Sequence, residues 1–163
     1  MSQYRELQEI AAERQRHYMQ LAGQIDANGK MLINVDYIEL LREEYNEFLQ
    51  AKEVNDKLQM ADALCDILVC QAGVKIQYDC NVYLGYAAEV YDMVQSMEDN
   101  AKFDVESGLN AVFDNNLARL QFDENGKVIL DMRELLEDGT RNPKFGKVKK
   151  KDISPNLEQF FRK

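Results

Sequence analysis

The chain reads as an all-α protein, and three observations predict it. Apolar residues recur at three- and four-residue steps through five separate stretches. Only two prolines and eight glycines punctuate 163 residues. No strand–helix alternation or Gly-rich phosphate loop is present, so a parallel-sheet nucleotide fold is not expected. With 45% apolar and 30% charged residues, the composition is that of a globular protein rather than a disordered one. The length suits a single domain, 1–163, with a helical core at about 35–121 and a hairpin-and-loop tail at 122–163.

The spacing predicts a first helix over 2–26, with Leu7, Ile10, Ala11, Tyr18, Leu21, Ala22 and Ile25 along one stripe. "DANGK" (26–30) ends it, with Gly29 as the left-handed stop. A second helix runs from about Asp36 to Lys52, with Ile38, Leu41, Tyr45, Phe48 and Leu49 inward. Asn55 or Asp56 caps a third, which reaches about Tyr78 on a stripe of Ala61, Leu64, Cys65, Leu68 and Ala72. A fourth covers 81–99 and faces Val82, Tyr86, Val90, Val94 and Met97 inward. A fifth covers 104–121, capped by Asp104, with Val105, Leu109, Val112, Phe113, Leu117 and Leu120 apolar. "FDENGKVIL" (122–130) is a turn with a short extended segment, and "DGTRNPKFG" (138–146) is a loop.

The net charge of −9 is unevenly placed. Residues 141–163 carry eight Lys/Arg against two Asp/Glu, a net of +6. Residues 1–140 carry twelve against twenty-seven, a net of −15. So acidic a body disfavours nucleic acid as a partner and suits divalent cations. The basic tail fits phosphates, the acidic body of a second subunit, or plain solvation. No apolar run is long enough to span a bilayer, and the charged start "MSQYRELQEI" is not a signal peptide. Three cysteines without CxxC spacing argue against a zinc site or a disulfide framework, and fit a reducing cytoplasm.

One feature of the third helix needs a reason. "MADALCDILVCQAG" (60–73) is the most apolar run of the chain, yet it holds Asp62 and Asp66 four residues apart on one face. The second helix carries "REEYNEF" (42–48), in which Glu44 and Glu47 share a face three residues apart. By helical arithmetic, Glu44 and Asp62 each lie roughly 80° from the centre of their apolar stripes, at the edge of the core. Packed antiparallel, the two helices would bring four carboxylates to one seam. Unpaired burial there costs several kcal/mol each or forces protonation. A hard cation held by oxygen ligands, Mg2+ or Mn2+, would remove that cost. Two other readings stay open: a solvated acidic face for "EEYNE", and pairing of the aspartates by Arg42, Lys52 or Lys57.

These motifs, in this order, resemble the all-α nucleoside triphosphate pyrophosphohydrolases. That superfamily includes the MazG-like enzymes, the dimeric dUTPases and the phosphoribosyl-ATP pyrophosphohydrolases. The likeness is greatest to the phosphoribosyl-ATP-pyrophosphohydrolase-like proteins of phages and bacteria. Glu43, Glu44 and Glu47 match its first motif, and Asp62 and Asp66 its second. "FDNNLAR" (113–119) stands at the third, with Asn116 on the family's asparagine and Arg119 on its lysine. "DENGKVI" and "KVKKKDISPNLEQF" resemble its hairpin and tail. The likeness spans roughly residues 35–160. Phe113 stands where the family has histidine, and the segment from Gly73 to Asn116 is longer by about one helix, rich in Tyr83, Tyr86 and Tyr91.

The resemblance implies Mg2+-dependent cleavage of a nucleotide to its monophosphate and pyrophosphate, in the cytoplasm of a bacterial or phage-infected cell. It implies Glu44, Glu47, Asp62 and Asp66 as metal ligands, Glu43 or Glu47 as the residue orienting water, and Asn116 and Arg119 as substrate contacts. It further implies a homodimer or homotetramer. His17, the sole histidine, lies outside every motif. The competing class is a catalytically silent helical module that keeps the fold. A di-iron bundle would need Glu-x-x-His pairs, which the chain lacks.

Overall fold

The computed structural model describes residues 2–78 and 84–163. It is all-helical, with five α-helices: α1 (Ser2–Leu21), α2 (Tyr37–Glu53), α3 (Lys57–Tyr78), α4 (Leu84–Asp99) and α5 (Val105–Arg119). A single 3-10 turn, Glu158–Phe160, lies near the C-terminus. Among the described residues the extended segments meet only through isolated antiparallel bridges. No helix among them is long and apolar enough to cross a membrane.

α3 is the axis of the fold. The sequence predicts one inner stripe for it, but between residues 60 and 74 only Asp62, Asp66 and Gln71 escape full burial. α1, α2, α4 and α5 all pack on this one helix. A helix that is apolar nearly all round belongs in such a central position. Two of its packing faces depend on a missing side chain. A Cβ at Gly73 would sit 2.4 Å from Cδ1 of Tyr37, and one at Gly108 of α5 would sit 2.3 Å from Cζ of Phe103.

The ends of the helices follow local chemistry. Asp36 caps α2 by accepting from the Glu39 N–H at 3.0 Å, and Asp104 caps α5 by accepting from the Ser107 N–H at 3.2 Å. Asp56, not Asn55, caps α3, accepting from the Gln59 N–H at 3.1 Å. Asn55 takes the left-handed conformation, φ +55°, that reverses the chain between α2 and α3. α1 ends at Leu21, five residues before the predicted stop. Gly23, φ +73°, supplies the left-handed turn there, and Gly29 serves instead in a tight turn bridged by Ile25 and Met31. Leu21 and Leu49, both predicted inward, are exposed because each falls at the edge of its helix's buried face.

α4 adds core, through Val90, Met93, Val94 and Met97. Its Tyr91 is half-buried and meets Tyr4 edge-on at 6.0 Å. Cys80, Val82, Tyr83 and the side chain of Tyr86 lie outside the described residues. Glu98 ties the ends of the chain to the bundle. It is only 8% exposed and accepts from Gln3 Nε2 (2.8 Å), the Val105 N–H (2.9 Å) and Arg162 Nη2 (2.9 Å).

The tail is part of the body. Antiparallel bridges join Phe122 to Val128, Leu130 to Val148 and Leu120 to Lys150. Leu157 is buried in the main core, and Phe161 bridges back to Phe103. Residues 144–158 are thereby returned to the end of α5 and the flank of α3.

Candidate functional site

The Asn55 turn makes α2 and α3 antiparallel neighbours, so Tyr37 at the start of α2 packs against Gly73 near the end of α3. This places Glu44 and Glu47 opposite Asp66 and Asp62. Burial first, then the charges of Asp66 and Glu47, push the Glu44 carboxyl up to about 9. Burial, followed by Asp62 and Glu47, raises Asp66 to about 7, against the opposing pull of Arg119 and Lys150. Asp62 is raised by burial and by Glu47. The Oε2 atom of Glu44 is buried and, among the described residues, has no hydrogen-bond partner.

The alternative of ordinary ion pairing is not what the structure has. Arg42 pairs with Glu39 at 3.1 Å, and among the described residues no Lys or Arg lies in salt-bridge contact with Asp62 or Asp66. Glu43 is exposed on the same side of α2, and its charge reaches the buried Cys70 thiol. Among the described residues, no three His, Cys, Asp or Glu side chains converge as a ready-made set of metal ligands.

Beside the seam lies a cleft of about 400 Å3. α3 lines it with Leu58, Gln59, Asp62 and Asp66, α5 with Val112, Asn115, Asn116 and Arg119, and the tail with residues 153–158. Asp62 and Asp66 thus belong to both features: they line the cleft, and they meet Glu44 and Glu47 from the α2 side. Asn116 and Arg119 line the opposite wall. Arg119 is held in place by its Nε, which donates to the Lys151 carbonyl at 3.1 Å, while the Lys151 N–H donates to the Arg119 carbonyl at 2.8 Å. Its two Nη groups remain for an anion.

Six of the seven positions that the resemblance matches therefore gather in one region: Glu44, Glu47, Asp62, Asp66, Asn116 and Arg119. Glu43 lies at its margin. Phe113 belongs to the core instead, fully buried with the Arg14 guanidinium 5.4 Å from its ring centre. His17 is exposed on α1 and does not line the cleft. Sequence reasoning missed Asn115, whose Nδ2 donates to the Ile153 carbonyl at 3.2 Å, and read the "SPN" segment (154–156), which lines the cleft, only as part of a family-like tail.

No protein-family model, characterised protein or solved structure matches this chain.

Proposed function

We propose that this protein hydrolyses a nucleoside triphosphate, or a related nucleotide, to the monophosphate and pyrophosphate, with Mg2+ as cofactor. One observation carries the reading. Two half-buried aspartates are shared between a carboxylate seam, in which Glu44 Oε2 has no hydrogen-bond partner among the described residues, and a cleft that Asn116 and Arg119 also line.

The residues fit the ion. All the donors are carboxylate oxygens, the set that hard cations prefer, and the orphaned Glu44 Oε2 marks a place where a positive charge is wanted. Glu44, Glu47, Asp62 and Asp66 would hold it. When bound, Mg2+ neutralises phosphate oxygens and stabilises charge growing on the leaving pyrophosphate. Arg119 binds phosphate through its free Nη groups, with bidentate geometry. Asn116 donates or accepts a hydrogen bond to base, sugar or phosphate. Glu47 or Glu43, both exposed, orients the attacking water. The low-dielectric setting of Asp66 strengthens each of these interactions relative to water. A homodimer or homotetramer is part of the same reading.

The test is a panel of nucleoside triphosphates with Mg2+, followed for pyrophosphate release. At least one is expected to yield pyrophosphate and monophosphate in equal amounts, and chelation of the metal to stop it. Release from none would favour the silent helical module.

A further inference from the structure

Resting on that reading of the cleft, we infer that Lys150 and Arg119 together form an anion site for a chain of two or three phosphates. Lys150 is thereby assigned as the residue that selects triphosphate over monophosphate.

The backbone puts the two cations side by side. Leu120, which follows Arg119, bridges to Lys150 in antiparallel fashion. The reciprocal bonds between Arg119 and Lys151 lock this register at 2.8 and 3.1 Å. The tail therefore delivers a lysine directly against the C-terminal end of α5, where Arg119 enters the cleft.

The charges there are not balanced. Lys150 is close enough to Arg119, Lys144 and Lys147 for each to act on its ammonium, and the Asp66 carboxylate acts on it in the opposite sense. Among the described residues none of Arg119, Lys144, Lys147 and Lys150 makes a salt bridge. Like charges held together by backbone geometry cost free energy, and an anion bound between them recovers it. The acidic seam on the other side of Asp66 has the opposite excess. A molecule that satisfies both must itself be a polyanion able to carry a cation, which describes a di- or triphosphate with Mg2+. A single phosphate offers less charge and fewer oxygens to share between the two halves. Lys144, Lys147 and Lys150 are all exposed, but Lys144 and Lys147 lie in the turn before Val148 and not at the bridge to Leu120, so theirs is the weaker, screened share.

Binding of inorganic tripolyphosphate, pyrophosphate and orthophosphate in the presence of Mg2+, followed by calorimetry, separates this site from turnover. Lys150→Gln is expected to weaken tripolyphosphate binding about tenfold or more, as loss of one charge-assisted contact predicts. Lys150→Arg should retain most of the affinity, and orthophosphate should bind weakly to all forms. Lys163→Gln, a lysine at the far end of the tail, should change nothing. Native-like tripolyphosphate binding by Lys150→Gln, or no tripolyphosphate binding by the native protein, would overturn the assignment. If no nucleotide releases pyrophosphate but tripolyphosphate binding still depends on Lys150, the hydrolase reading fails and the anion site stands.

Discussion

Buried Glu98 and the half-buried carboxylates of the α2–α3 seam are treated in opposite ways. Glu98 is satisfied by three donors from three parts of the chain: Gln3, Val105 and Arg162. Glu44, Asp62 and Asp66 act mainly on one another and on Glu47, and among the described residues the buried Glu44 Oε2 has no hydrogen-bond partner. A buried charge with its partners in place holds structure together; buried charges without partners are a standing cost, tolerated where a ligand supplies what is missing. The difference separates a fastening from a site without any reference to a relative.

The largest effect that would break this contrast is on turnover. Asp66→Asn is expected to lower pyrophosphate release by on the order of a hundredfold or more, since the residue serves both the seam and the cleft. The same variant should melt no lower than the native protein in metal-free buffer, because one repelling charge is gone. Substantial retained turnover would remove Asp66 from the ligand set.

Glu98 should behave the other way round. Glu98→Ala strands the Val105 N–H and releases Arg162 and Gln3, so unfolding in urea is expected to show a loss of about 2–3 kcal/mol. Turnover per folded molecule should be unchanged. A stable variant with impaired turnover would make Glu98 part of the site after all.

The smallest effect is a slope. Glu44 goes from an ordinary 4.5 to about 9 and Asp66 from 3.8 to about 7, so the folded protein holds protons that the unfolded chain has already lost. Their contribution to stability is full below about pH 4 and declines as pH rises through 7 and towards 9. In metal-free buffer the melting temperature of the native protein is expected to fall across that window more steeply than that of Glu44→Gln. Mg2+ should raise the native melting temperature more at pH 8 than at pH 5. Identical pH slopes for the two proteins would show that Glu44 is not under the strain described.

Much of the architecture was legible in the chain. Five helices follow from apolar spacing, and the cap Asp104 follows from its side-chain chemistry. The α1 terminus was misread because Gly23 and Gly29 both adopt the left-handed conformation, and local signals do not rank them. The pair Asp62 and Asp66 stood out against an apolar background, and their four-residue spacing put them on one face whatever the neighbours. The tail that holds Lys150 and residues 153–158 resembled the family's and fitted phosphates, a second subunit or solvent alike, since a lysine-rich tail looks the same whether solvated or docked.

Periodicity and capping are short-range properties, so residues within a turn or two of each other settled the helices and the acidic edges on their own. Which edge meets which, that α3 lies at the centre, and that the tail returns to set Lys150 beside Arg119 depend on contacts between residues far apart in the chain. Those contacts are chosen by burial over the whole molecule, and only the folded chain reveals them.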